Sequence, residues 1–215
     1  MMPGRQYSKL DEMIIGFDSR LGTLFRPSVG SKCKNPSDDI AENPLLKAER
    51  KLSASLMRIN HAGEVSAQAL YQGQGMCARD PAIRRSTKKS AEEEEAHLAW
   101  CDQRLMELGE QTSYLNPLWY IGSFTIGAFA GFCGDKWSLG FITESERQVV
   151  KHLQEHLQRL PERDLKSRAI VEQMKIDELH HATVALQAGA VELPGPVKQL
   201  MKITSKVMTN IACRI

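Results

Sequence analysis

The sequence predicts an all-α protein centred on a four-helix bundle. Four long segments carry apolar residues at steps of three and four, which is the spacing of one face of an α-helix. No segment alternates between apolar and polar residues as a half-buried β-strand does. A Glu-x-x-His pattern occurs twice, at Glu94–His97 and at Glu178–His181, which indicates two similar helical hairpins.

The composition is that of an ordinary globular protein. The 215 residues suit one domain with a sizeable core, or one domain plus an extension, and 42% of them are apolar and 25% charged. A formal net charge of +2 gives no case for binding nucleic acid. The five scattered cysteines form no Cys-x-x-Cys motif, which disfavours a disulfide framework and a zinc site and favours a reducing compartment such as the cytosol. The first residues show no apolar stretch of signal-peptide length.

Residues 1–44 are expected to be an extension outside the bundle. Residues 7–25 carry apolar side chains at near-helical spacing and predict a short amphipathic helix. Residues 26–44 are rich in Pro, Ser, Gly and Asn and predict a loop or disordered linker. The chain is therefore divided into this extension and a bundle domain, residues 45–215.

The first long helical pattern begins at Pro44, a residue that suits a first helical turn. Asp80 followed by Pro81 is typical of a helix cap and first turn, and Pro161 ends the third helix. The four predicted bundle helices cover residues 44–78, 80–108, 139–160 and 162–189. A last amphipathic helix is expected over residues 197–215, which contain four Lys or Arg residues.

Between the second and third bundle helices, residues 111–134 contain no charged side chain. A spanning helix needs about 20 apolar residues, so the segment is favoured as a membrane-facing or buried crossover. The Gly127-x-x-x-Gly131 pattern allows close helix contact and is a weak signal for a dimer. One long apolar crossover is a feature of ferritin-like bundles, so this fold is the prediction.

Each half of the chain offers the same set of metal ligands. A Glu and a His three residues apart on a helix share a face, and two such pairs with two further Glu residues form the ligand set of di-metal carboxylate bundles. Glu64 precedes Glu94 by 30 positions, and Glu146 precedes Glu178 by 32. Glu146 is preferred over Glu144 because it lies on the apolar face of its helix. The candidate ligands and catalytic residues are Glu64, Glu94, His97, Glu146, Glu178 and His181.

Four carboxylates and two imidazoles suit iron or manganese better than zinc. Two divalent ions would nearly neutralise the four carboxylates, and two ferrous ions could give O₂ two electrons. We therefore expect oxygen activation or iron oxidation. In this hypothesis Glu94 and Glu178 bridge or chelate the ions, and each ion takes one histidine and one further glutamate.

The neighbouring polar residues have simpler interpretations. The other glutamates of the acidic run are interpreted as a solvated face: Glu92, Glu93 and Glu95. The remaining histidines are expected at the surface or behind the ligands: His61, His152, His156 and His180. His152 is offered as a proton or electron relay, although its step of six from Glu146 takes it off the ligand face.

Several stretches of the chain resemble the demethoxyubiquinone hydroxylase family in its bacterial form. The resemblance covers nearly all of residues 45–215 and includes all six candidate ligand positions. The stretches that carry it are Leu56–Val65, Tyr71–Gln74, Glu94–Cys101, Leu115–Pro117, Lys166–Ile170 and Met174–His181.

This resemblance implies a ferritin-like fold with two iron ions and hydroxylation of a polyprenyl benzoquinol ring. O₂ is the implied co-substrate, with NAD(P)H or the quinol itself as the reductant. It also implies a peripheral protein on the cytoplasmic face of the bacterial cell membrane, with the membrane surface, other ubiquinone-biosynthesis proteins or a second copy of the chain as partners. The rivals are a ferritin-like ferroxidase or iron-binding protein, and a lipid-binding bundle whose carboxylates are structural.

Overall fold

The computed structural model describes residues 33–214, and this part of the chain contains six α-helices and no strand. The helix predicted over residues 7–25 lies outside it. In chain order the helices are α1 (Lys47–Cys77), α2 (Pro81–Glu107), α3 (Asn116–Phe132), α4 (Asp135–Arg159), α5 (Leu165–Gln187) and α6 (Gly195–Ala212).

Two helical hairpins form the bundle. Helix α1 packs on α2 and α4 packs on α5, while contacts of α1 with α4 and of α2 with α5 join the hairpins. The largest cluster of buried apolar side chains draws on all four helices. Its fully buried members include Leu56, Met57, Leu105, Leu153, Ile170 and Met174. The all-α four-helix architecture predicted from the sequence is confirmed.

The ends of the bundle helices follow from the local sequence. The carboxylate of Asp80 accepts a hydrogen bond from the backbone N–H of Ala82 at 2.7 Å, and Asp164 accepts one from that of Ser167 at 3.0 Å. Each bond satisfies a donor that the first helical turn leaves free. Gly134 turns the chain from α3 into α4 with a φ of 117°, a conformation that only glycine adopts without strain.

The predicted crossover is helix α3, which packs along the outside of α1. Glycines let the two backbones approach: a Cβ on Gly127 would lie 2.3 Å from the carbonyl oxygen of Leu70, and one on Gly73 would lie 2.4 Å from that of Phe124. Gly131 is also confined, although less tightly, because a Cβ there would lie 2.8 Å from the Cβ of Cys77. The small-residue pattern is thus used for contact within the chain.

The opposite face of α3 is apolar and exposed. Its large exposed side chains are Leu118, Ile121, Ile126, Phe129 and Phe132. Among the residues described, no helix combines the length and apolar character needed to cross a bilayer. Helix α6 also packs on α1, where the Ser66 hydroxyl lies 3.3 Å from the sulfur of Met208.

The segment before α1 is packed rather than a free linker in its described part. The side chain of Arg104, only 1% exposed, donates hydrogen bonds to Glu42 at 2.6 and 3.1 Å and to Asp164 at 2.9 Å. It also donates to Glu107 at 2.8 Å and to Ser167 at 2.9 Å. These contacts, called the Arg104 cluster below, tie residue 42 to α2 and to the start of α5. The predicted domain division at residue 44 stays a prediction.

Candidate metal centre

The structure brings all six predicted ligand side chains to one buried point of the bundle. Helix α1 contributes one glutamate, α2 and α5 each contribute a Glu-x-x-His pair, and α4 contributes the last glutamate. None of the six residues is more than 6% exposed: Glu64, Glu94, His97, Glu146, Glu178 and His181. These six residues are called the Glu/His cluster below.

Two glutamates of this cluster lie between the two histidines. Glu94 places one carboxylate oxygen 3.1 Å from His97 Nδ1 and the other 3.3 Å from His181 Nδ1. Glu178 does the same, at 3.1 Å from His97 Nδ1 and 3.2 Å from His181 Nδ1. Each carboxylate therefore presents one oxygen to each histidine, which is the arrangement of a ligand that bridges two ions.

The two remaining glutamates lie at opposite ends of this arrangement. Glu64 approaches His97, with 3.3 Å between its Oε2 and Nδ1. Glu146 lies beside Glu178 and accepts a hydrogen bond of 2.7 Å from the hydroxyl of Tyr71. The neighbouring candidate Glu144 instead contacts Gln148 at 2.8 Å and Lys198 at 3.7 Å, away from the cluster.

The donor atoms fit a pair of metal ions. Two ligand atoms about 2.1 Å from one ion and at right angles are about 3 Å apart, close to the nitrogen–oxygen distances found here. One ligand atom from each of Glu64, Glu94, His97 and Glu178 lies within 4.8 Å of the others. In addition, Glu94 Oε1 and Glu178 Oε1 are fully buried, and a histidine Nδ1 approaches each of them at 3.3 and 3.1 Å without completing a well-aligned hydrogen bond. The cluster is therefore compatible with a di-iron site.

Burial and mutual repulsion dominate the charge state of the carboxyls. Burial and the nearby Glu94 carboxylate raise the pKa of Glu64 well above its usual value, and burial with Glu178 does the same to the pKa of Glu146. Burial also opposes ionisation of Glu94, but hydrogen bonds from His181 and His97 outweigh it and lower the pKa of that carboxyl. Cations bound between the carboxyls would favour their ionised forms and oppose this rise in pKa.

The pKa values of both cluster histidines are raised, whereas burial alone would lower the pKa of an imidazole. Burial alone would lower the pKa of His97, but the carboxylates of Asp177, Glu178 and Glu64 raise it well above its usual value. Burial likewise opposes protonation of His181, yet Glu178 and Glu94 raise its pKa to about 12. Without metal ions, therefore, protonated histidines provide the positive charge in the cluster.

A carboxylate also holds the outer nitrogen of each histidine. The Nε2 of His97 lies 3.1 Å from Asp177, and the Nε2 of His181 lies 2.9 Å from Glu93. Such contacts fix the ring so that Nδ1 faces the metal position. Interpreting Glu93 as part of a solvated face was wrong, because His181 on α5 packs against it. The missed signal was an acidic residue directly before each shared glutamate, as in Glu93-Glu94 and Asp177-Glu178.

The other histidines take different positions. His180 is exposed, whereas His156 is fully buried and contacts Asn60 at 2.7 Å. Its ring centroid lies 4.1 Å from that of His152, so the two form a pair on α4. Burial lowers the pKa of His156 to about 3 and that of His61 to about 4. The relay role of His152 stays a prediction.

A small cavity of about 10 Å³ adjoins the cluster between α2, α4 and α5. Its lining includes Tyr71 and His181, two apolar side chains of α4 (Leu139 and Ile142), and hydroxyls of α2. That volume holds one water-sized molecule. A wider groove of about 910 Å³ lies along α1 and the loop that follows α2, and none of the six cluster residues lines it.

Comparisons with known proteins agree with this geometry. Residues 51–212 match the family described as Ubiquinone biosynthesis protein COQ7. A 3-demethoxyubiquinol 3-hydroxylase of Nitrosococcus oceani is 57% identical over 98% of this chain and 99% of its own length. The enzyme of the same name from Nitrosomonas europaea is 55% identical over 94% of this chain and 97% of its own length.

The fold is also found among solved structures. A dodecameric thioferritin, the bacterioferritin-related protein of Bacteroides fragilis, matches with a TM-score of 0.55. The match covers 73% of this chain and 90% of that protein at 16% identity, and it confirms the ferritin-like fold. With the family match over most of its length and relatives above 50% identity, the chain belongs to the COQ7 family of ubiquinone biosynthesis proteins.

Proposed function

We infer that the chain is a di-iron monooxygenase that hydroxylates the ring of a demethoxyubiquinol, the reaction named for its relatives. The observation that carries this inference is the pair of glutamates shared between two histidines, in a chain of this family. Glu94 and Glu178 would bridge the ions. His97 and Glu64 would complete one ion's ligands, and His181 and Glu146 would complete the other's.

When bound, two ferrous ions would supply the electrons that activate O₂. The protein residues would have two tasks around them. Glu93 and Asp177 orient the two imidazoles, as their contacts with the Nε2 atoms indicate. The apolar core around the cluster excludes bulk water, which strengthens every electrostatic interaction inside it.

The substrate ring is expected to approach through the cavity beside Tyr71 and His181. This cavity adjoins the cluster, and Leu139, Ile142 and Ala185 give it an apolar wall. Its 10 Å³ are far below the roughly 300 Å³ of a typical small-molecule site, so the side chains that line it must move apart for a ring. The expected reactants are a polyprenyl benzoquinol, O₂ and reducing equivalents from NAD(P)H or the quinol.

We further propose that the protein docks peripherally on the cytoplasmic face of the cell membrane. The exposed apolar face of α3 supports this, as does α6, where Leu200, Ile203 and Val207 are exposed among lysines. Such a surface binds the interface of an anionic bilayer. Replacing Phe129 and Phe132 by serine is expected to reduce sedimentation with anionic vesicles several-fold. Replacing the exposed Ile176 of α5 by serine is the control.

The hydroxylase reaction can be tested directly. The protein is loaded anaerobically with ferrous iron, given a short-tailed demethoxyquinol and exposed to O₂, and the product is measured by mass spectrometry. Wild type should add one oxygen atom to the ring, and Glu178→Ala should add none. The control Glu172→Ala changes a surface carboxylate on the same helix that contacts Lys175 at 2.7 Å. Iron oxidation without ring hydroxylation would contradict the inference and favour a ferroxidase.

A further inference from the structure

Tyr71 is a buried phenol in contact with the Glu/His cluster. It is 3% exposed, and its hydroxyl donates a hydrogen bond of 2.7 Å to Glu146 Oε1. Its ring also meets the ring of His181 edge-on, with 6.3 Å between centroids and an interplanar angle of 82°. Tyr71 therefore contacts two cluster residues, and both belong to the second half of the bundle.

The first half of the cluster has no matching phenol at the equivalent position. Tyr71 follows Glu64 on α1 by seven residues, two turns along the same face. On α4 the residue seven after Glu146 is Leu153, which is 1% exposed and belongs to the apolar core. The two Glu-x-x-His pairs and the two outer carboxylates repeat between the halves, but this position differs.

We propose that Tyr71 is a positioning residue that holds the Glu146 carboxylate toward one metal ion and makes the two metal positions unequal. The proposal rests on the function inferred above. The ion next to His181 would have a terminal carboxylate fixed by a phenol. The ion next to His97 would have Glu64, which lies 3.3 Å from that histidine.

The physical basis is the hydrogen bond itself. A bond from a neutral hydroxyl to a carboxylate is charge-assisted and directional, so it restricts how the carboxylate can turn. Because Tyr71 binds Oε1, the proposal assigns the other oxygen of Glu146 to the ion. Removing one such outer contact commonly lowers metal affinity by about 10–100-fold. The effect should fall on one ion of the pair.

The test compares ferrous binding by wild type, Tyr71→Phe and Tyr120→Phe under anaerobic conditions. Phenylalanine keeps the ring and removes only the hydroxyl. Tyr120 is the matched control because it is 5% exposed and its hydroxyl donates to Gln72, outside the cluster. Calorimetric titration gives the affinity of each ferrous equivalent. Mössbauer spectra of ⁵⁷Fe-loaded protein give the environment of each ion, and circular dichroism checks folding.

Wild type and Tyr120→Phe are expected to bind two equivalents with two different iron signals. In Tyr71→Phe, one equivalent should bind about 10–100-fold more weakly and one signal should change. In a Glu146→Gln background, adding Tyr71→Phe should change iron binding less than twofold, because Tyr71 acts through that carboxylate. Equal binding and unchanged spectra in Tyr71→Phe would overturn this proposal about Tyr71 but leave the proposed function intact. Absence of iron binding in wild type would overturn the proposed function itself.

Discussion

The bundle contains two buried polar clusters that balance their charge in different ways. The Arg104 cluster includes its own permanent cation, and Glu42, Glu107 and Asp164 surround it. In the Glu/His cluster, His97 and His181 are the basic partners of Glu64, Glu94 and Glu178, and Glu146 accepts a hydrogen bond from a neutral phenol. The first cluster is therefore complete once the chain has folded. Under the proposed function, metal ions would complete the second.

The largest effect is expected when the Arg104 cluster is disrupted. Arg104→Ala should lower the free energy of unfolding by about 3–5 kcal/mol, because it leaves the fully buried carboxylate of Asp164 without its cation. Urea unfolding measures the change. Arg58→Ala is the control, since its partner Glu110 is partly exposed and the loss should stay below about 1 kcal/mol. Equal losses in both variants would contradict the distinction.

The second prediction concerns the stability that iron binding would add at the Glu/His cluster. Anaerobic ferrous iron should stabilise the wild-type protein by about 2.7 kcal/mol per site when the free ion is at 100 times its Kd. Thermal unfolding with and without iron measures this gain. Arg104→Ala should keep the gain, whereas Glu178→Ala should lose most of it. Iron stabilisation that survives Glu178→Ala would place the ions somewhere else.

His156 is a third buried polar group, and unlike the two clusters it carries no charge in the folded protein. Its effect on stability therefore depends on pH. The pKa of His156 is lowered to about 3, so the unfolded chain binds a proton below pH 6.5 that the folded chain does not. Stability is therefore lost as pH falls, by about 2 kcal/mol for this group between pH 7.5 and pH 5. His156→Gln should reduce the measured pH dependence of unfolding by that amount. An unchanged pH dependence would show that His156 is protonated in the folded protein.

The smallest effect concerns the outer contacts of the metal centre. Asp177→Asn keeps an oxygen beside His97 Nε2 but removes its negative charge, so ferrous affinity should fall about tenfold. Glu172→Gln, on the same helix at the surface, should leave affinity unchanged. Isothermal titration compares the two variants. A tenfold loss in both would point to a general effect of charge on α5.

Helix periodicity was sufficient to predict the four bundle helices and the inward position of Glu146. The apolar face of α4 passes through residue 146 and not through residue 144, and the structure places Glu144 beside Lys198 instead. Asp80 and Pro81 likewise indicated the start of α2 within one residue. These features are local, because the spacing along one helix determines them.

The features that sequence reasoning missed are contacts between helices. Glu93 pairs with His181 across the bundle, and Arg104 gathers partners 60 to 63 residues away as well as the nearby Glu107. Such contacts depend on how each helix is rotated and shifted against its neighbours, which periodicity does not specify. The burial of His156 beside Asn60 has the same origin.

The glycine contacts between α1 and α3 have a consequence for sequence variation. Because Gly73 and Gly127 leave no room for a methyl group, the face of α3 that packs on α1 should tolerate very few substitutions. Its outer face, with Phe129 and Phe132, meets no such limit and can exchange one large apolar residue for another. In a library of random substitutions, survivors should therefore vary on one side of α3 and keep its glycines on the other.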